Sequence, residues 1–225
     1  MPGYATIIRT LRLGGQDFRI RSLSDRQQFA DPHGHAERIG ISSAQWSLFG
    51  QIWPAGRLLA EAMGRQAIAR KRILELGCGL GLASLLLQRR GADITASDAH
   101  PLAEVFLAYN AALNDLPAVA YRSLRWDEPD DSLGRFDLII GSDILYERAH
   151  ADLLASVVER HAQAGAEVLI TDPGRGNSAR FTRLLEAQGY AVCERRAPMD
   201  AKDVPPFRGR LLSYRRRADF TERHA

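Results

Sequence analysis

Ile73-Leu74-Glu75-Leu76-Gly77-Cys78-Gly79-Leu80-Gly81 is the stretch on which the reading of this chain turns. Ile73 to Leu76 is apolar but for one acid, and it is short enough to be a strand buried on both faces. Three glycines at alternate positions follow. Glycine lets the backbone turn tightly and lets a ligand approach without a Cβ clash. From Leu80 to Arg90 a leucine-rich face at 82, 85 and 86 predicts a helix, ended by Gly91. Strand, glycine turn and helix form the unit that places ligands at the carboxyl ends of strands in open α/β sheets.

The alternation continues downstream. Asp93 to Ser97 reads as a second strand, Leu102 to Leu113 as a helix, and Val119 to Arg122 as a third strand. Phe136 to Gly141 is the clearest strand, because Leu138-Ile139-Ile140 is apolar without alternation, as a buried parallel strand should be. A helix is expected over Asp152 to Gln163, a strand over Glu167 to Thr171, and a helix over Ala179 to Gln188. Tyr190 to Arg195 and Leu211 to Arg216 alternate and predict a closing antiparallel pair. The expected fold is therefore a Rossmann-like, doubly wound α/β domain. Its sheet is seven-stranded and mostly parallel, with an antiparallel closing strand.

Upstream, residues 1–30 hold two alternating stretches around Leu11 to Ile20, and Gly14-Gly15 between them reads as the turn of an N-terminal β-hairpin. Residues 31–40, with Pro32 and Gly34, read as a loop. Ser42 or Ser43 can cap a helix from about Ala44, and Pro54 breaks it so that a second helix starts near Ala55. The division expected is an extension over 1–40 and one domain over 41–225.

A length of 225 residues suits that arrangement, and 45% hydrophobic with 25% charged residues is ordinary for a folded soluble chain. No apolar run approaches the ~20 residues that span a bilayer, and no secretion signal is evident. A cytoplasmic location is expected, with no membrane association. Cys78 and Cys193 have no metal-ligand spacing and cannot form a disulfide framework, so both are expected reduced and buried. His33 and His35 have no third ligand type nearby and read as solvent-exposed, so no metal is expected. The formal net charge is +3, with Lys71 and Lys202 the only lysines. An arginine-rich surface can bind acidic partners or can simply be solvated, and the run Arg215-Arg216-Arg217 reads as a solvated strand end.

Three cofactor classes use glycine-rich turns. The triphosphate pattern Gly-x-x-x-x-Gly-Lys-Ser/Thr is absent, and the dinucleotide spacing Gly-x-Gly-x-x-Gly differs from the one here. Glu75 beside the turn would repel a pyrophosphate. S-adenosylmethionine (SAM) has no phosphate, and its sulfonium and α-ammonium favour a nearby carboxylate. Asp98 ends the second strand about twenty residues past the turn, where an acid can accept hydrogen bonds from ribose hydroxyls. The alternative is a turn that only packs helix against strand.

With these residues in place, the chain resembles the class I SAM-dependent methyltransferases, whose first motif Glu75 to Gly81 is similar to. Trp53-Pro54-Ala55-Gly56, Arg125-Trp126-Asp127, Ser142-Asp143-Ile144-Leu145-Tyr146-Glu147 and Asp172-Pro173-Gly174-Arg175 resemble the seven-β-strand protein lysine methyltransferases. The last tetrapeptide points to the branch that includes the electron-transfer-flavoprotein β-subunit lysine methyltransferase. The resemblance covers about residues 40–215. It implies SAM as cofactor, with Trp53 at the methionine end and Gly77, Cys78, Gly79 and Gly81 in the turn beside Glu75. Asp98 would meet the ribose and Trp126 the adenine, with Ser142 under the cofactor. Asp143 and Tyr146 would face the substrate nitrogen as the catalytic pair.

Each of these has a plainer alternative. Trp53 and Trp126 can be packing aromatics. Asp172 and Arg175 can belong to a turn around Pro173-Gly174, or can meet substrate at a strand end. A protein substrate is expected and a small amine is the alternative, since function does not follow from fold. A SAM-binding protein without catalysis is the third reading. A nucleic-acid substrate is disfavoured, because Ser142 to Tyr146 lacks the prolines of the Asn/Asp-Pro-Pro-Tyr/Phe signature. Nothing in the sequence sets the oligomeric state.

Overall fold

β1 (Thr6–Leu13) and β2 (Gln16–Leu23) form the N-terminal hairpin around Gly14-Gly15, both at positive φ. They appear here in a computed structural model that describes residues 4–29, 31, 34–197 and 208–216. The readings made of Pro32, His33 and Arg217, and of the His35 side chain, lie outside what is described. The hairpin pairs in full register from Thr6↔Leu23 to Leu13↔Gln16. Its inward residues Leu13, Phe18, Ile20 and Leu23 are almost fully buried, in the same cluster as Ile73, Leu85 and Phe106.

Seven strands make the main sheet: β3 (Arg72–Leu76), β4 (Asp93–Asp98), β5 (Ala120–Ser123), β6 (Phe136–Ser142), β7 (Ala162–Asp172), β8 (Tyr190–Arg196) and β9 (Arg210–Arg216). Their order is β5-β4-β3-β6-β7-β9-β8. β3 to β7 pair parallel, and β9 runs antiparallel to both β7 and β8. The expected fold class is therefore the one observed. From β3 the chain winds through β4 and β5 to one edge, then returns to β6 on the other side of β3. The switch in winding direction lies between β3 and β6, where open α/β sheets bind their ligands.

Helices cover both faces. α1 (His35–Arg38) and α2 (Ser43–Trp46) are single turns, and a 3-10 turn over Ser47–Gly50 follows. α3 (Pro54–Arg65), α4 (Leu82–Arg89) and α5 (Ala103–Leu113) pack with the hairpin on one face. α6 (His150–His161) and α7 (Ser178–Ala187) pack on the other, against Leu74, Leu76 and Ile139. Residues 138–140 of β6 have no exposed surface, which explains their unbroken apolar run. Each such side chain contributes about 1.5–3 kcal/mol through burial. Pro54 begins α3, where its missing N–H removes no helical hydrogen bond.

Three expectations are corrected. The loop over 31–40 contains α1, because the Asp31 carboxylate accepts the Glu37 N–H at 3.1 Å. The helix expected to reach Gln163 ends at His161, and β7 begins at Ala162, five residues before the expected strand start. Ala162 is drawn into pairing with Phe136, and an irregularity between Phe136 and Leu138 takes up the extra length. Cys193 is exposed, because β8 is the outermost strand of the sheet. Among the described residues no helix is long and apolar enough to cross a membrane.

Candidate functional site

The carboxyl ends of β3, β4 and β6 open into one cleft of about 630 Å³, walled on its other side by residues 39–53. That volume lies within the ~300–1,000 Å³ usual for small-molecule sites. β3 is placed next to β6 by the pairing Leu76↔Gly141. Gly77 and Ser142 therefore leave the sheet side by side.

The glycine turn is dictated by more than its dihedral angles. Gly77 and Gly79 hold φ 62° and 52°, a region that favours glycine. A Cβ on Gly77 would lie 2.9 Å from Ile144 Cγ2, and one on Gly79 would lie 2.8 Å from the Phe49 carbonyl oxygen. Gly141 makes the same room for Ile144, whose Cδ1 would stand 2.4 Å from a Cβ there. Ile144 thus tucks beneath the turn, and the 3-10 turn at Phe49 closes over it. The Cys78 N–H donates to the Ser97 carbonyl at 2.9 Å, which ties the turn to β4. Gly81 does not line the cleft. It precedes α4 at φ 72°, and a Cβ there would meet Leu107 Cδ1 at 2.3 Å. Its observed contacts are with helix packing.

Two acids sit under the turn, Glu75 buried and Asp98 half-buried. Glu75 is 2% exposed and lines the cleft. Its Oε2 accepts the Ser84 N–H at 2.9 Å and also the Ser84 hydroxyl. Burial raises its pKa to about 7, although both Ser84 bonds oppose the rise. Asp98 accepts the Gly79 N–H through Oδ2 and the His100 N–H through Oδ1, both at 2.8 Å. Burial also raises its pKa, against those two backbone bonds. A cationic ligand would relieve both carboxylates, whereas a phosphate would add to their repulsion. Cys78 is buried beside them, and its thiol is pushed well up by that burial. It is a packing group, since only a thiolate reacts readily.

Aromatic side chains line the rest of the wall. The Trp53 indole N–H donates to the Leu48 carbonyl at 2.8 Å, and Trp126 stands edge-on to His150 at 5.0 Å. Tyr146 meets the same imidazole edge-on at 4.4 Å and is 40% exposed at the mouth. Its hydroxyl pKa is pushed up to about 12, first by burial and then by Glu147. Trp53, Glu75, Gly77, Cys78, Gly79, Asp98, Trp126, Ser142, Asp143 and Tyr146 therefore share one cleft.

Sequence reasoning did not single out His100 and Phe49. Their rings stack at 3.8 Å and 15°, and both line the cleft. Burial lowers the His100 pKa to about 3, so it is neutral at working pH. Its position two residues past Asp98 was the available signal. The segment that carries Phe49 is pinned to the far rim. Arg125 Nη1 donates to the Ile39 carbonyl at 3.0 Å, and the Gln45 amide reaches Glu147.

Asp143 has the least ordinary geometry. It follows β6 at φ 52°, a left-handed conformation that costs a non-glycine residue about 1–3 kcal/mol. Its N–H donates to the Thr171 carbonyl at 2.8 Å, which fixes the peptide. Arg175 Nε and Nη2 each donate to one Asp143 carboxylate oxygen at 2.7 Å. Arg175 reaches it because Gly174 and Gly176 take φ 91° and 92°, turning the chain after β7 back over the cleft. Asp172 of the same tetrapeptide does not line the cleft, and it pairs with Arg210 at 3.4 Å.

A glycine turn at the switch point, acids suited to a cation and an aromatic wall match SAM rather than a nucleotide phosphate. Fold and cleft together define a SAM-dependent methyltransferase. Residues 38–188 match a family model described as lysine methyltransferase, and the chain belongs to that family. The electron transfer flavoprotein beta subunit lysine methyltransferase of Xenopus laevis is 30% identical over 183 residues, covering 78% of this chain and 70% of that protein. The ribosomal protein L11 methyltransferase of Synechococcus sp. (strain RCC307) is 41% identical over 178 residues, covering 72% of this chain and 54% of that one. The structure of the magnesium protoporphyrin IX methyltransferase of Synechocystis, with bound SAM, shares the fold at TM-score 0.54 and 17% identity, over 71% of this chain and 74% of that one.

Proposed function

We propose that this enzyme methylates the side-chain amine of a lysine in a protein partner, with Asp143 and Tyr146 facing that amine. The observation that carries this reading is that both line the same cleft as the glycine turn, at its mouth. Gly77 and Gly79 would meet SAM through their backbone, with Asp98 at the ribose, Trp126 at the adenine and Trp53 at the methionine end. Bound SAM supplies an electrophilic methyl group on sulfur. The amine nitrogen forms the new bond to that carbon while the carbon–sulfur pair leaves with sulfur.

An amine can attack only when neutral. Neutralising a lysine of pKa ~10.4 at pH 7 costs about 4–5 kcal/mol. An apolar slot lowers that pKa by desolvation, and the aromatic wall provides such a slot. The Tyr146 ring face can then stabilise the methylated ammonium. The long lysine side chain reaches inward, so the protein bearing it remains outside the mouth.

The first substrates to test follow from the relatives: an electron transfer flavoprotein β-subunit, then ribosomal protein L11. Each is incubated with the enzyme and methyl-labelled SAM, and the product is mapped by mass spectrometry. Label on a lysine side chain supports the reading. In a parallel incubation with a whole lysate, label confined to the low-mass fraction contradicts it.

A further inference from the structure

Resting on the lysine reading above, we infer that Arg175 is a positioning residue: it cancels the charge of Asp143 so that the substrate amine meets an oriented hydrogen-bond acceptor instead of a net negative charge. The difficulty it resolves is physical. A lone carboxylate beside an amine favours the ammonium form and raises its pKa by about 1–3. That would oppose formation of the nucleophile. A carboxylate paired with a guanidinium has little net charge, yet each oxygen keeps a lone pair for another donor.

The geometry fits this role closely. The pair is bidentate, at 2.7 Å on both oxygens, and lines the cleft, with Asp143 following β6 and Arg175 in the loop after β7. Asp143 is largely buried, with a side chain 12% exposed, while Arg175 is half-exposed at the rim. The other acids near the mouth have partners of their own. Glu147 is met by Gln45 and by His150 at 3.6 Å, and Asp127 by Arg125 at 2.7 Å. Asp98 is held by the Gly79 and His100 N–H groups, and Glu75 by Ser84. Arg175 is thus the cation matched to Asp143, and Tyr146 adds no charge of its own below its raised pKa of about 12. When the amine attacks, its nitrogen bonds to the methyl carbon and the carbon–sulfur electrons go to sulfur. The proton lost earlier by the ammonium goes to solvent.

The test uses R175Q, R175K and the double variant R175Q/D143N, with two probes in calorimetry. Sinefungin carries an amine where SAM carries its methylsulfonium, and S-adenosylhomocysteine carries a neutral thioether there. If Arg175 cancels Asp143, R175Q exposes the carboxylate to the sinefungin amine. Preference for sinefungin over S-adenosylhomocysteine should then rise about tenfold or more in R175Q, matching an amine pKa raised by about 1 or more. R175K and the double variant should show no rise. The second readout is kcat on a lysine substrate against pH, which reports the amine in its bound state. Its acid limb should move up by about 1–3 pH units in R175Q and return in R175K. No rise in sinefungin preference, a rise that survives in the double variant, or an equal loss of activity at every pH overturns the inference. If the wild type transfers no methyl to lysine, the lysine reading itself fails, and calorimetry alone then decides the role of Arg175.

Discussion

Replacing Glu75 by glutamine should make the protein less sensitive to alkaline pH when no cofactor is present. Glu75 is buried under the glycine turn, with a pKa raised from its ordinary 4.5 to about 7. A carboxyl whose pKa is higher folded than unfolded binds its proton more tightly in the folded state. Its contribution to stability is complete below pH 4.5 and is lost as pH rises to about 7. At about 1.4 kcal/mol per pH unit, the full loss is about 3 kcal/mol, of which roughly 2–3 kcal/mol falls between pH 5 and pH 8. Glutamine keeps an oxygen for the Ser84 donors and has no charge to desolvate. The assay is thermal unfolding of both proteins at pH 5 and pH 8. Wild type should lose roughly 5–10 °C relative to E75Q over that range. Comparing the two pH values cancels whatever glutamine does to packing. Saturating SAM should shrink the gap, since a cation beside Glu75 favours its ionised form. Parallel melting of the two proteins at both pH values would refute the account of Glu75.

Other perturbations follow from the same geometry. D98A leaves the Gly79 and His100 N–H groups without their acceptor and removes the proposed ribose contact. Urea unfolding should show a loss of about 1–3 kcal/mol, and calorimetry should show S-adenosylhomocysteine binding weakened at least tenfold, a loss of ~1.4 kcal/mol or more. G81A should lower stability by about 1–3 kcal/mol through backbone strain and the Leu107 clash. The surviving folded fraction should bind S-adenosylhomocysteine normally, because Gly81 does not line the cleft. Y146F should keep most activity with an unchanged pH profile below pH 10, whereas Y146A should lose a cation–π contact of about 0.5–2 kcal/mol, roughly 2- to 30-fold in rate.

The sheet could be read from sequence because its central strands leave no alternative. Leu138 to Ile140 carries no polar residue, and Ile73 to Leu76 carries only Glu75, so both had to be buried on two faces. The cleft was legible where chemistry sits at strand ends: Gly77 and Gly79 after β3, Asp98 at the end of β4, Asp143 after β6. Side-chain pairings were not legible. Asp172 and Arg175 are three residues apart, yet one turns to Arg210 and the other to Asp143. Gly174, at φ 91°, lies between them and turns the chain. The spacing of the three glycines gave no sign that Gly81 faces Leu107 while its neighbours face the cleft. Phe49 closes the site from a segment more than twenty residues upstream of the turn, which local periodicity does not report. Cys193 misled because an alternating apolar pattern looks the same on an edge strand as on a covered one.

The central claim is that one cleft joins a SAM-binding turn to an amine-facing Asp143. Its most direct measurement is label transfer from SAM to protein lysine by wild type and D143A, run beside S-adenosylhomocysteine affinity for both. The wild type should methylate lysine. D143A should keep its affinity while transfer falls about a hundredfold or more, on the order of 3 kcal/mol of transition-state stabilisation. Transfer unchanged in D143A, or affinity lost together with transfer, would contradict that claim.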